Sequence, residues 1–120
     1  MEIKIIEVNN RKIAVVNSEL PIISDGQSAL EFLMNIGYEH NCRSIAVNRE
    51  AFVEDFYKLS TGVAGEVAQK IVNYRYRLAI IGDFSAYTSK PLIDYMYECN
   101  NGGHLYFVAD ENDAVKKLSA

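Results

Sequence analysis

Short runs of β-branched and aliphatic residues alternate along this chain with longer stretches of helical spacing, and that alternation leaves few folds open. Ile3–Val8 and Lys12–Val16 are two β-branched runs joined at Asn9-Asn10-Arg11. Asparagine tolerates the positive φ of a tight turn, so the pair reads as a hairpin. Ser44–Val47, Leu78–Ile81 and His104–Val108 supply three further strands. Leu78–Ile81 is apolar throughout and closes on Gly82-Asp83, the pattern of a strand covered on both faces. Leu20–Ile23 is extended as well, but Pro21 keeps it out of a central strand position.

The intervening segments repeat near 3.6 residues. Ser24 with Gln27 three residues later forms a capping-box pattern that opens a helix. Ala29, Leu30, Leu33 and Ile36 follow on its inner face, and Gly37 is placed to end it as the C′ residue. Arg49–Lys58 holds one or two helical turns. A clearer helix spans Gly62–Tyr74, with Val63, Val67, Ile71 and Tyr74 on one face and the Glu66–Lys70 pair on the other. Ser89 opens the next, with Pro91 in its first turn and Leu92, Ile93, Met96 and Cys99 turned inward. Asp110 caps a short last helix carrying Ala114, Val115 and Leu118. The order ββαβαβαβα predicts one α/β domain over residues 1–120. Its sheet is a small single layer, mixed but mostly parallel, with an N-terminal β-hairpin and about four helices.

Composition narrows the function classes. A chain of 120 residues, 49% apolar and 23% charged, can bury one core without disulfide staples. Twelve Lys and Arg stand against sixteen Asp and Glu, for a net charge of −4. The basic runs are pairs only, Arg11-Lys12 and Lys116-Lys117. Binding a phosphate backbone needs several cations on one face, so no nucleic-acid partner is expected unless folding joins Lys70, Arg75 and Arg77. Cys42 and Cys99 read as reduced thiols of a cytoplasmic protein. The amino terminus is charged and alternating, and no apolar run approaches the roughly 20 residues that span a bilayer. A cytoplasmic location away from membranes is the expectation. Six of the eight tyrosines (Tyr74, Tyr76, Tyr87, Tyr95, Tyr97, Tyr106) lie in one half of the chain, where they suit a partner contact, a homodimer or a half-buried core.

The later strands leave the sheet at Asn48, Gly82-Asp83 and Ala109-Asp110. In open parallel sheets, ligands bind outside those carboxyl ends. The loop carrying Asp83, Ser85, Tyr87 and Lys90 is therefore a candidate site, with Glu54, Asp55, Ser60 and Thr61 across it. Each also has a structural reading. Asp110 and Ser89 fit helix caps, and Asp83 serves a loop-bracing hydrogen bond as well as it serves catalysis. Asp83, Asp110 and Glu54 or Asp55 suit a hard cation, but no spacing demands one. His40-Asn41-Cys42 and Cys99…His104 lack zinc-site spacing. No metal and no cofactor is expected. A hydrolase would need a base near Ser85 and Asp83, yet His104 starts a strand at the opposite end of the sheet, so no catalytic residue is assigned. Leu59-Ser60-Thr61-Gly62 puts two hydroxyls at a helix start, where the positive dipole end suits a cap or an anion. Phosphorylation there would add about two negative charges.

Over nearly its whole length the sequence resembles the bacterial domain-of-unknown-function family 4180. The matching stretches include Lys12-Ile13-Ala14-Val15-Val16, Gln27-Ser28-Ala29-Leu30, Glu54-Asp55-Phe56, Leu59-Ser60-Thr61-Gly62, Asn73-Tyr74-Arg75, Gly82-Asp83-Phe84-Ser85 and Tyr87-Thr88-Ser89-Lys90. That resemblance implies no activity. The element order is also similar to the STAS domain of anti-sigma factor antagonists and sulfate transporters. Those domains switch partners on phosphorylation of a loop that reads Asp-Ser-Ser/Thr-Gly. Here Ser60 would match the phosphoacceptor, while Leu59 stands in the aspartate's place and the stretch from Asn48 to Ser60 is longer. The resemblance implies a non-enzymatic regulatory or protein-interaction module of STAS-like type, switched at Ser60-Thr61-Gly62. The alternative is a small-ligand-binding or enzymatic domain using the crevice around Asp83 and Ser85, with Tyr87 as an aromatic wall.

Overall fold

The computed structural model describes residues 1–120. Five strands, β1 (Glu2–Val8), β2 (Arg11–Asn17), β3 (Ser44–Asn48), β4 (Arg77–Ile81) and β5 (Leu105–Val108), form one sheet in sequential order. β1 and β2 pair antiparallel, and every later neighbour is parallel. The hairpin turn is Asn9-Asn10, with φ of 53° and 64°. Two successive left-handed residues are what a two-residue turn needs to match strand twist.

Four helices complete the fold: α1 (Gly26–His40), α2 (Val63–Asn73), α3 (Lys90–Asn100) and α4 (Glu111–Ser119). Three of them are crossovers between adjacent parallel strands. Right-handed crossovers added in one direction put all three helices on the same face. The strands show it residue by residue. Ile45, Val47, Leu78, Ile80, Leu105 and Phe107 belong to the larger core under α1, α2 and α3, a cluster of 25 buried residues. The alternate positions Ile13, Ala46, Ala79, Tyr106 and Val108 meet Ala114 and Leu118 of α4 in a second cluster of seven. Alanines at the centre of that second face let a nine-residue helix lie close to the sheet.

Several local expectations are corrected. α1 is capped by Asp25, whose carboxylate accepts from Ser28 N–H at 2.8 Å while the Ser28 hydroxyl accepts from Asp25 N–H, so the box is Asp25–Ser28 and not Ser24–Gln27. Gly37 lies inside the helix, which runs on to a left-handed Asn41. A side chain at Gly37 would come within 2.9 Å of the Tyr76 hydroxyl, so its smallness serves packing and not helix termination. Ile93 faces outward, because Leu92 and Met96, one turn apart, take the inner face of α3. Ser89 stands at the N-cap of α3 without a side-chain bond, whereas Asp110 accepts from Asp113 N–H at 2.8 Å as expected. Leu20–Ile23 reaches the sheet's neighbourhood through a single parallel bridge, Ile23 to Phe52. No helix is long and apolar enough to cross a membrane.

Candidate functional site

The segment between β3 and α2 is built from three short 3-10 turns, Arg49–Ala51, Glu54–Tyr57 and Leu59–Thr61. The middle turn drives Phe56 and Tyr57 into the protein and leaves Glu54 and Asp55 in solvent. Tyr57 then stacks on Tyr87, with ring centroids 5.0 Å apart, and meets Phe84 at 6.3 Å. Phe84 packs edge-on against Phe107 at 5.4 Å, and Phe56 lies 4.6 Å from Phe52 and 6.3 Å from Phe107. The two loops singled out from sequence are thus joined, but through their rings. Between Asp83 and Ser85 on one loop and Glu54 and Asp55 on the other, the rings of Tyr57, Phe84 and Tyr87 pack together. A shallow depression of about 320 Å3 lies beside them, lined by Pro21, Arg49, Glu50, Phe52, Val53 and Glu54.

Arg49 is the residue that the sequence reading missed at this edge. It donates to the Tyr87 hydroxyl at 2.8 Å, pairs with Glu50 at 3.2 Å, and its backbone carbonyl accepts from the Tyr57 hydroxyl at 2.8 Å. Its position directly after the strand exit Asn48 was the available signal. Burial pushes the Tyr57 phenol far above its ordinary value, and burial followed by the Glu54 charge raises Tyr87. Both stay protonated and act as hydrogen-bonding braces. Asn48 itself clasps Ser18, accepting from its N–H at 2.8 Å and donating to its carbonyl at 2.7 Å.

The remaining candidates divide cleanly. Asp83 accepts from Ser85 N–H at 2.9 Å and bends its own loop; Ser85, through its hydroxyl and then its backbone N–H, holds the carboxyl below its ordinary range. Lys90 pairs with Asp94 one turn along α3, at 2.8 Å in open solvent. Such exposed pairs contribute about 0–1 kcal/mol. The Thr61 hydroxyl lies 2.6 Å from the Asp55 carbonyl and 2.8 Å from that of Lys58, and accepts from Val63 N–H at 3.3 Å. Thr61 therefore ties the 3-10 turns to α2. Gly62, at φ 81°, makes the left-handed step into that helix. Ser60 is exposed, between the locked residues Leu59 and Thr61.

No three His, Cys, Asp or Glu side chains converge as metal ligands; Asp83 braces its loop, Asp110 caps α4, and Glu54 and Asp55 share one 3-10 turn. Both thiols are free, and burial shifts both upward from the ordinary thiol value. Arg75 and Arg77 line one cleft with Tyr74, and the Lys70 ammonium lies over the Tyr74 ring, 6.0 Å from the centroid.

Comparison with known proteins agrees with the matching stretches above. Neither the curated proteins nor the solved structures include a significant match to this chain. The model of the family described as Domain of unknown function (DUF4180) matches residues 8–118, and the chain belongs to that family.

Proposed function

We propose that this protein is a non-enzymatic regulatory module of cytoplasmic type that docks a partner protein on the carboxyl edge of its sheet, with Ser60 as the switch. The observation that carries this reading is the joining of the 54–62 and 83–90 loops into one filled face by the Tyr57–Tyr87 stack. A filled face with exposed Ser60, Asp83 and Ser85 offers area and hydrogen bonds to a macromolecule. It offers no enclosure to a small substrate. The likeness of Leu59-Ser60-Thr61-Gly62 to the STAS phosphorylation loop supports the same reading. The single proton of the Thr61 hydroxyl is engaged between the Asp55 and Lys58 carbonyls and its oxygen accepts from Val63 N–H, so among the paired hydroxyls Ser60 is the one open to a kinase.

Site-specific photocrosslinking in the native cell tests it. A photoreactive side chain in place of Ser60 or Ser85 should yield the same discrete adduct, and Ser60→Glu should reduce the yield from position 85. A probe at Lys116, on α4, should not give that adduct. Absence of an adduct from both loops, or the same adduct from Lys116, rejects the docking face. Unchanged crosslinking after Ser60→Glu rejects the switch.

A further inference from the structure

The amino edge of the same sheet holds a cleft of about 630 Å3 with a composition unlike the rest of the chain. Arg11, Lys12, Arg43, Arg75 and Arg77 all line it, and no Asp or Glu does. None of the five pairs with an Asp or Glu within 4 Å, and Glu7, opposite Lys12 in the hairpin register, does not reach it; Arg11 and Arg77 reach the Ala120 oxygen at 3.3 and 3.5 Å. In a chain of net charge −4, this is a concentrated positive field.

Helix dipoles account for part of it. The helices run antiparallel to the strands, so the carboxyl ends of all four, α1 to α4, gather at this edge. Arg43 donates to the Tyr74 carbonyl at the end of α2, at 2.7 Å. Arg11 and Arg77 donate to the Leu118 carbonyl of α4, at 3.2 and 2.8 Å, and Arg77 also to that of Lys117 at 2.8 Å. Four helix ends carry about −2 charges in all. Five cations exceed that by more than a factor of two. The surplus sits on Lys12 and Arg75, which make no side-chain hydrogen bond, and on the unused donors of Arg43. Arg75 is exposed and held at φ 61°, an uncommon conformation for a residue of its size. Tyr38 and Tyr74, 84% and 44% exposed, flank the cleft, and the Lys70 ammonium lies over the Tyr74 ring.

We infer that this cleft binds a small molecule carrying a di- or triphosphate. The volume matches a small-ligand site, and clustered guanidinium groups without carboxylates match several phosphoryl oxygens by charge-assisted, forked hydrogen bonds. The exposed tyrosines offer a surface for an attached planar group. This site lies at the opposite edge from the docking face and does not depend on it.

Calorimetric titration of the whole chain at about 50 mM salt tests the inference, with inorganic tripolyphosphate as the first probe. One saturable site is expected, weakened about tenfold or more by Arg75→Asn combined with Lys12→Gln. Asparagine accepts positive φ, so the unfolding midpoint should hold. If the pair fails to fold, Lys12→Gln alone should still weaken binding severalfold. A nucleoside triphosphate that binds more tightly, with the gain lost in Tyr38→Ala, identifies a nucleotide; equal affinity identifies the phosphate chain alone. No saturation by about 1 mM, unchanged affinity in the variants, or equal binding of citrate overturns the proposal. So does tighter binding of oligothymidylate than of tripolyphosphate, because a nucleic acid would then be the ligand.

Discussion

At the carboxyl ends of the strands, aromatic rings close the space between two loops; at the amino ends, a cleft of about 630 Å3 stays open among five cations. The contrast follows from the polarity of the βαβ unit. Helix starts collect at the carboxyl edge, where Asp25, Asp110 and Glu66 accept from free N–H groups; Glu66 takes the Gly26 N–H at 3.3 Å. Helix ends collect at the amino edge, where arginines take the free carbonyl groups. Each end thus attracts side chains of the sign its dipoles favour. A net charge of −4 conceals this separation, since it averages an acidic pole with a basic one. An electrically polar domain can present different chemistry at each end without any change of fold.

The largest effect that could break this contrast is expected at Phe56, which is fully buried beneath the aromatic face. Phe56→Ala should cost about 3–5 kcal/mol in urea unfolding, as for other deeply packed rings. A loss below about 1 kcal/mol would mean that the carboxyl edge is loosely filled and that the two poles differ less than their geometry says. The next test concerns the wall of the amino cleft. Gly37→Ala sets a methyl 2.9 Å from the Tyr76 hydroxyl and 3.0 Å from the Cys42 carbonyl, so it should destabilise by about 1–3 kcal/mol. Gly65→Ala, an exposed helical position with no atom near the new methyl, should instead stabilise by about 0.5–1 kcal/mol. Opposite signs would show that the cleft wall is rigid. Equal signs would show that Tyr76 yields.

The smallest effect is a pH dependence at Asp83. Its carboxyl is depressed in the folded protein, so its contribution is complete above the ordinary value of 3.8 and disappears as pH falls through the depressed one. Wild type should therefore exceed Asp83→Asn in thermal midpoint near neutrality, and the two should converge in strong acid. A gap that persists in acid would assign Asp83 a role other than bracing its loop.

Particular residues show how far the sequence could be read. Asn9-Asn10 announced its own turn, because left-handed φ is a local preference. Asp110 announced its cap for the same reason, through a bond only three residues long. The start of α1 was misplaced by one residue because Ser24 and Asp25 are both capping types, and only the backbone geometry decides between them. Gly37 was read as a stop because its real cause, the Tyr76 ring, is distant in sequence and adjacent only in space. At the site, Asp83 and Tyr87 could be nominated from a strand exit and Ser60 from a helix start, but the Tyr57–Tyr87 stack that joins the two loops could not. The basic cleft left a fainter trace: Arg11-Lys12, Arg43 and Arg77 each stand at or just before the start of a parallel strand. That regularity becomes a cluster only when the strands lie side by side.

The sequence by itself determined the elements, their order and the mostly parallel sheet, because hydrophobic period and turn chemistry act within a few residues. Tertiary structure decided which faces the helices cover, that Tyr57 closes over Tyr87, and that five dispersed cations share one cleft. Those outcomes depend on crossover hand and strand register, which bring together residues that no local pattern links.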